Sequence, residues 1–164
     1  MSFDYKYLFR LSLVLGLCLW FLPLEAAMVS GVVRYEGSVP KLPTIKMDGD
    51  PQCSKKHTVA PAAEVFVLGQ GNTIGNVFIR DKKGLGAKSY PSPKQDLIID
   101  QSGCLYTPHV AGVMVGQGVK FKNADGILHN VHSLSKTNKA FNFAMPGGML
   151  LSPVKTFDRE EDFF

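Results

Sequence analysis

Two histidines three residues apart, His129 and His132, follow a turn-forming Asn-Ala-Asp-Gly in NADGILHNVHSLSK, residues 123–136. Imidazoles so close raise the question of a metal. On a strand, successive side chains point to opposite faces, so His129 and Val131 share one face and Asn130 and His132 the other. The pair cannot grip one ion without a bulge, and no His-Glu-x-x-His helical pair exists elsewhere in the chain. Two further strings carry ligand-type atoms: CSKKH, with Cys53 and His57, and GCLYTPH, with Cys104 and His109. Thiolate and imidazole together suit copper or zinc. Their spacing matches no zinc-finger or ribbon pattern, and a Cys53–Cys104 disulfide beside two surface histidines accounts for the same letters. Met145 and Met149 in FNFAMPGGML add thioethers, which serve copper in some sites and plain packing in most.

Other chemistry is poorly supported. GQGNTIG has its third glycine one place late for a dinucleotide loop, and GLGAKS lacks the Gly-Lys-Ser order that cradles a phosphate, so both read as turns. No nucleophile elbow is present, and no acid–base pair is set by spacing, which makes an enzyme the least favoured class.

The elements that must position these residues read as strands. No helical period follows the first 27 residues; short alternating or β-branched runs recur between Gly, Pro, Asn and Asp. VSGVVRYEG alternates Val29, Gly31, Val33 and Tyr35 against Ser30, Val32, Arg34 and Glu36. EVFVLG (64–69), NVFIRD (76–81) and DLIID (96–100) are further candidates. AGVMVGQGVKFKNADG predicts two strands about a Gly116-Gln117-Gly118 turn, with Val119 and Phe121 opposite Lys120 and Lys122. Residues 37–63 and 82–95 read as irregular connections within one domain. The pattern predicts an all-β sandwich.

Lys6 and Arg10 precede the apolar run LSLVLGLCLWFLPL, and Ala26-Ala27 follows, the order of a secretory signal peptide. The expected division is a signal helix over 1–27 and a domain over 28–164. The apolar run is short against the roughly 20 residues of a membrane span, so no stable insertion is expected after cleavage. An uncleaved signal anchor is the alternative, because Leu24 or Glu25 occupies the −3 position. Cys18 lies deep in the run behind Leu17, which makes it a poor lipid-attachment cysteine. The expected location is therefore periplasmic or secreted. The mature domain keeps two cysteines, Cys53 and Cys104, and all four histidines. As a disulfide they would remove chain entropy worth about 4 kcal/mol; as thiols they would be ligands. The net charge of +4 comes from scattered lysines, which excludes a nucleic-acid footprint.

The segment DQSGCLYTPHVAGVMVGQGVKFKNADGILHNVH, residues 100–132, resembles the cupredoxin-like periplasmic proteins often labelled plastocyanin-like or methylamine-utilisation-like. The features are a Pro before a strand, Val-x-Val-Gly-Gln-x-Val-x-Phe-x-Asn, a turn, and His-Asn-Val. The resemblance extends upstream through MDGDPQC…H and downstream through FNFAMP. It implies a Greek-key β-sandwich, copper as cofactor, one-electron transfer and a periplasmic redox partner. It also implies that His129 is the first copper ligand, and that Asn130 bonds to the ligand loop and joins two strands. The family's remaining ligands, a Cys followed by His and usually Met on a C-terminal loop, have no counterpart: the sequence reads KTFDREEDFF to Phe164 where that strand is expected. The resemblance thus implies a sandwich lacking its last strand or strands, with Phe157, Phe163 and Phe164 prone to fray.

Three functions are compatible with these letters. One is an exported cupredoxin-like copper-binding or electron-transfer module without a complete blue-copper site. Another is copper sequestration by Cys53, His57, Cys104, His109 and Met145, with His132 as an outside contributor. The third is a non-metal sandwich whose open edge pairs with a partner strand.

Overall fold

A computed structural model describes residues 28–81, 83, 84, 86 and 89–162 of the chain. The expected signal peptide, Phe163 and Phe164 lie outside the described residues. The chain divides into two units, Met1–Val32 and Val33–Phe164. Of the first, only Met28–Val32 is described, an exposed segment without strand or helix. Among the described residues no helix is long and apolar enough to cross a membrane.

The second unit is all-β apart from one helical turn, α1 (Pro51–Ser54), and a 3₁₀ turn at Gln70–Asn72. Its strands are β1 (Leu97–Ser102), β2 (Leu105–Thr107), β3 (Val119–Asn123), β4 (His129–His132) and β5 (Asn142–Met145). They form a three-stranded sheet in the order β2-β1-β3 and a two-stranded sheet β4-β5. β1 runs antiparallel to β2 and parallel to β3, with Ile99 beside Phe121. β4 and β5 are antiparallel, with His129 opposite Met145 and Val131 opposite Phe143.

Period-2 alternation explains how the sheets share a core. Val119, Phe121 and Asn123 of β3 are buried while Lys120 and Lys122 are half-buried on the other face, ion-paired to Asp96 and Asp100 of the β1 segment. Val119, Phe121, Val131, Met145 and Phe157 form the buried apolar centre, with Leu97, Ile99, Phe141 and Phe143 packed around it. Phe121 meets Phe141 and Phe143 edge-on at 6.0 and 6.1 Å, a geometry that adds to plain burial. Phe157 is buried, not frayed.

The outer edge of β3 is covered by residues 150–155, which do not form a regular strand. Val119 and Lys155 exchange backbone hydrogen bonds and Ser152 N donates to Phe121 O, but Phe121 N donates to the Ser152 hydroxyl. Pro153 follows immediately, and a proline has no N–H to continue a ladder.

Three of the expected runs become strands, DLIID as β1, VKFKN as β3 and HNVH as β4. The others do not. VSGVVRYEG and EVFVLG make only the single bridges Arg34–Thr73 and Leu68–Ile74, and NVFIRD pairs with no strand among the described residues. AGVMV is no strand either: Met114 N donates to the Gln117 side chain, and Gly116 N to Phe157 O, so its backbone serves a turn rather than a neighbouring strand. The helical turn α1 lies in a connection expected to be irregular. Asp50 caps it by accepting from Gln52 N at 2.8 Å, and Pro51 opens it with a φ already suited to a helix.

Candidate functional site

The candidate site is assembled where β3 turns into β4. The Asn123 side-chain oxygen accepts from Asp125 N and Gly126 N at 3.1 and 3.3 Å, folding Asn-Ala-Asp-Gly back on itself. The Asn123 amide nitrogen donates to Ile127 O and Met145 O, tying this turn to the end of β5. Gly147 is required nearby, since a Cβ there would stand 2.1 Å from Gly126 O.

This turn aims the Asp125 carboxylate at a second turn, Ser102-Gly103-Cys104-Leu105, which joins β1 to β2. Gly103 and Cys104 both have positive φ, 62° and 58°, the backbone of a tight two-residue hairpin. Cys104 bears the strain of a side chain in that region, on the order of 1 kcal/mol. Both amides face inward: Gly103 N and Cys104 N each donate to Asp125 at 2.7 Å. His129 Nε2 donates to the same carboxylate at 2.8 Å, and Lys56 Nζ lies 3.1 Å away. The side chains of Asp125 and His129 are only 3% and 13% exposed. Burial by itself would raise the carboxyl's pKa, but the Cys104 N–H, His129, Lys56 and the Gly103 N–H outweigh it and lower it from 3.8 to about 2.

Three ties bind α1 and the residues just after it to these two turns. Cys53 and Cys104 form a disulfide with Cα atoms 5.7 Å apart. His57 Nε2 lies 2.6 Å from Gly103 O, and Lys56 Nζ donates to Asp125 O at 3.2 Å as well as to its carboxylate. The disulfide closes a separation of 51 residues, worth about 4 kcal/mol in the chain-entropy picture.

The seven ligand candidates therefore separate. Cys53, Cys104, His57 and His129 surround the Asp125 turn. Met145 lies across from His129 on β5, but its sulfur is fully buried and accepts from the Gln101 amide at 3.2 Å. His109 pairs with Glu64 instead, and His132 is exposed on the opposite face of β4. Those two histidines line an apolar cavity of about 230 Å³ together with Tyr106, Phe121 and Phe141. Asn130 joins two strands, β4 and β5, through its amide to Asn142 Oδ1 at 2.7 Å.

Spacing could not reveal Asp125, Lys56, Gln101 and Asn123. Asp125 was legible only as a turn residue, and its reach back across 21 residues depends on the hairpin at Gly103-Cys104. Ser-Gly-Cys-Leu between two apolar runs was a usable hairpin signal.

Ligand atoms of Cys104, Asp125 and His129 lie within 4.8 Å of one another. With Cys104 in a disulfide its sulfur is no thiolate, and the carboxylate is occupied by four donors. A trigonal blue-copper site, needing a thiolate and two imidazoles, does not fit this donor set. One donor does remain. Among the described residues no hydrogen bond engages His129 Nδ1, on a side chain that is 13% exposed. No family model, curated protein or solved structure matches the chain.

Proposed function

We propose that the chain is a cupredoxin-like, Greek-key module of an exported copper-binding protein, whose described residues offer copper one oriented imidazole and not a complete electron-transfer site. The observation that carries this reading is the His129–Asp125 pair. A carboxylate accepting from Nε2 fixes the ring's tautomer and orientation and leaves the Nδ1 lone pair to a metal, the usual support behind a metal-bound histidine. The two facing sheets with inward His129, Val131, Phe143 and Met145 support the sandwich. The Cys53–Cys104 disulfide supports an oxidising compartment. No redox step is assigned, because a lone imidazole holds copper weakly and without selectivity.

The test is copper(II) titration of the oxidised protein, followed by visible absorption and by NMR of the imidazoles. His129 resonances broaden first, no intense thiolate-to-copper band develops, and His129→Gln abolishes the selective broadening. Equal broadening of all four imidazoles, or a strong blue band, overturns the reading.

A second reading, a non-metal interaction module, is favoured by the edge of β4. Ser133 N donates to Phe141 O, so by alternation the backbone groups of Asn130 and His132 point away from β5. Among the described residues their partner is the Tyr106 hydroxyl, 3.3 Å from Asn130 O. An extended apolar peptide could add there as a strand, with side chains entering the 230 Å³ cavity. Binding of such a peptide should survive His129→Ala; its loss favours the metal reading.

A further inference from the structure

The Asp125 turn holds more ligand chemistry than the copper reading uses. Cys104, Asp125 and His129 bring a sulfur, a carboxylate oxygen and an imidazole nitrogen within 4.8 Å of one another. The disulfide joins the Cys53 sulfur to that of Cys104, next to this trio but outside it, as a potential fourth donor. Two things keep these groups from acting as a ligand set: the oxidised state of the two sulfurs, and the hydrogen bonds now made to the Asp125 carboxylate, which a metal would have to displace in part. We infer that the Cys53–Cys104 disulfide is a redox cap on a zinc(II) site formed by Cys53, Cys104, Asp125 and His129.

The chemistry balances with a dithiol as reductant. Two electrons and two protons from the dithiol cleave the Cys53–Cys104 bond, giving two protein thiols while the donor closes to its own disulfide. Zinc then binds both sulfurs as thiolates, and two protons pass to solvent. Two thiolates on one zinc stand about 3.8 Å apart, from Zn–S bonds of about 2.3 Å at a tetrahedral angle. Side chains whose Cα atoms lie 5.7 Å apart reach that separation by rotating about Cα–Cβ.

Mixed sulfur, nitrogen and oxygen donors favour zinc over copper(I), which prefers sulfur alone. Charge also balances. Two thiolates and Asp125 carry three negative charges against two on zinc, and the Lys56 ammonium, already at Asp125, supplies the third positive charge. Near-complete burial of the Asp125 and His129 side chains screens the ion from water on one side.

This inference shares His129 with the copper reading but concerns the reduced protein, so the two fail separately. The experiment uses the mature protein, oxidised or reduced under nitrogen with the reductant then removed. Zinc affinity is read by competition with a chromogenic chelator, and cobalt(II) serves as the spectroscopic stand-in. Reduced protein should take up one equivalent with thiolate-to-cobalt absorption, and oxidised protein none. Cys104→Ser, with the remaining thiol reduced, and His129→Gln, also reduced, should each weaken binding at least about tenfold. Cys53→Ser should bind zinc without any reductant, because its Cys104 is free of the disulfide, but at least about tenfold more weakly than the reduced parent, because one ligand is lost. If reduction or Cys53→Ser unfolds the chain by circular dichroism, zinc should restore the fold. Equal zinc uptake by both redox states, no effect of His129→Gln, or an unfolded chain that zinc does not rescue overturns the inference. Copper broadening of His129 in the oxidised protein stands whichever way these results fall.

Discussion

Two carboxylates each organise a loop of this molecule, and they do so with different company. Asp125 is almost wholly buried and receives two backbone N–H groups, an imidazole and an ammonium. Glu161, near the end of the described chain, receives the Ser135 hydroxyl, the backbone N–H groups of Lys136, Thr137 and Asn138, and the Asn138 amide. Burial would raise the Glu161 pKa, but these donors hold it well below the usual carboxylate range. The two acids look alike as hydrogen-bond acceptors. They differ in what they gather: Asp125 collects a histidine, a lysine and a disulfide, whereas Glu161 collects only groups that shape a turn. A loop staple and a candidate site thus share one device, and the neighbouring side chains distinguish them.

The sharpest way to break that contrast is to cut the ties on the Asp125 side. Replacing both Cys53 and Cys104 by Ser should lower stability by about 4 kcal/mol in denaturant unfolding; a negligible change would mean the hairpin is held without the disulfide. Asp125→Ala, which orphans two amides, leaves His129 unpaired and leaves Lys56 only the backbone carbonyl of residue 125, should cost about 3 kcal/mol. Glu161→Ala should cost far less, because its loop stays open to water, and the reverse order would undo the comparison.

Acid titration sharpens it further. The Asp125 pKa is lowered on folding, so its stabilisation is complete above about pH 4 and is lost as the pH falls towards 2. The loss should amount to about 2 kcal/mol, from a shift between 3.8 and about 2. Asp125→Asn should flatten this part of the stability–pH curve, and an unaltered slope would assign the acid sensitivity elsewhere. The smallest effect is expected from Glu161→Gln. It should shift the unfolding midpoint slightly and more at low salt than at high salt, as a partly exposed charge does.

Much of the sheet was legible. DLIID and VKFKN carry the alternation of half-buried strands, and the inward aspect of His129 followed from its phase with Val131. The flanking runs around Val29–Glu36, Glu64–Gly69 and Asn76–Asp81 carry similar letters but pair only through isolated bridges or not at all. Alternation states which face is apolar; it does not supply a neighbour. β5 was hidden for the opposite reason. Asn142–Met145 sits between Phe141 and the Pro-Gly-Gly that follows, so its four residues read as part of a glycine-rich loop. The site was legible in its donors but not in its organiser. Asn, Asp and Gly in a row announce a turn, and nothing in their spacing says that the acid crosses to a hairpin more than 20 residues earlier. Nor could spacing choose between thiolates and a disulfide for Cys53 and Cys104. That depended on α1 being laid against the hairpin, a tertiary fact.

The paired amides of the Gly103-Cys104 hairpin have a spectroscopic consequence. Their hydrogens point at an ionisable oxygen instead of a peptide carbonyl, so their proton chemical shifts should move together in acid, upfield, with a midpoint near that of Asp125. Two neighbouring residues thereby become a built-in indicator dye for the charge at the centre of the turn, readable without altering a single side chain.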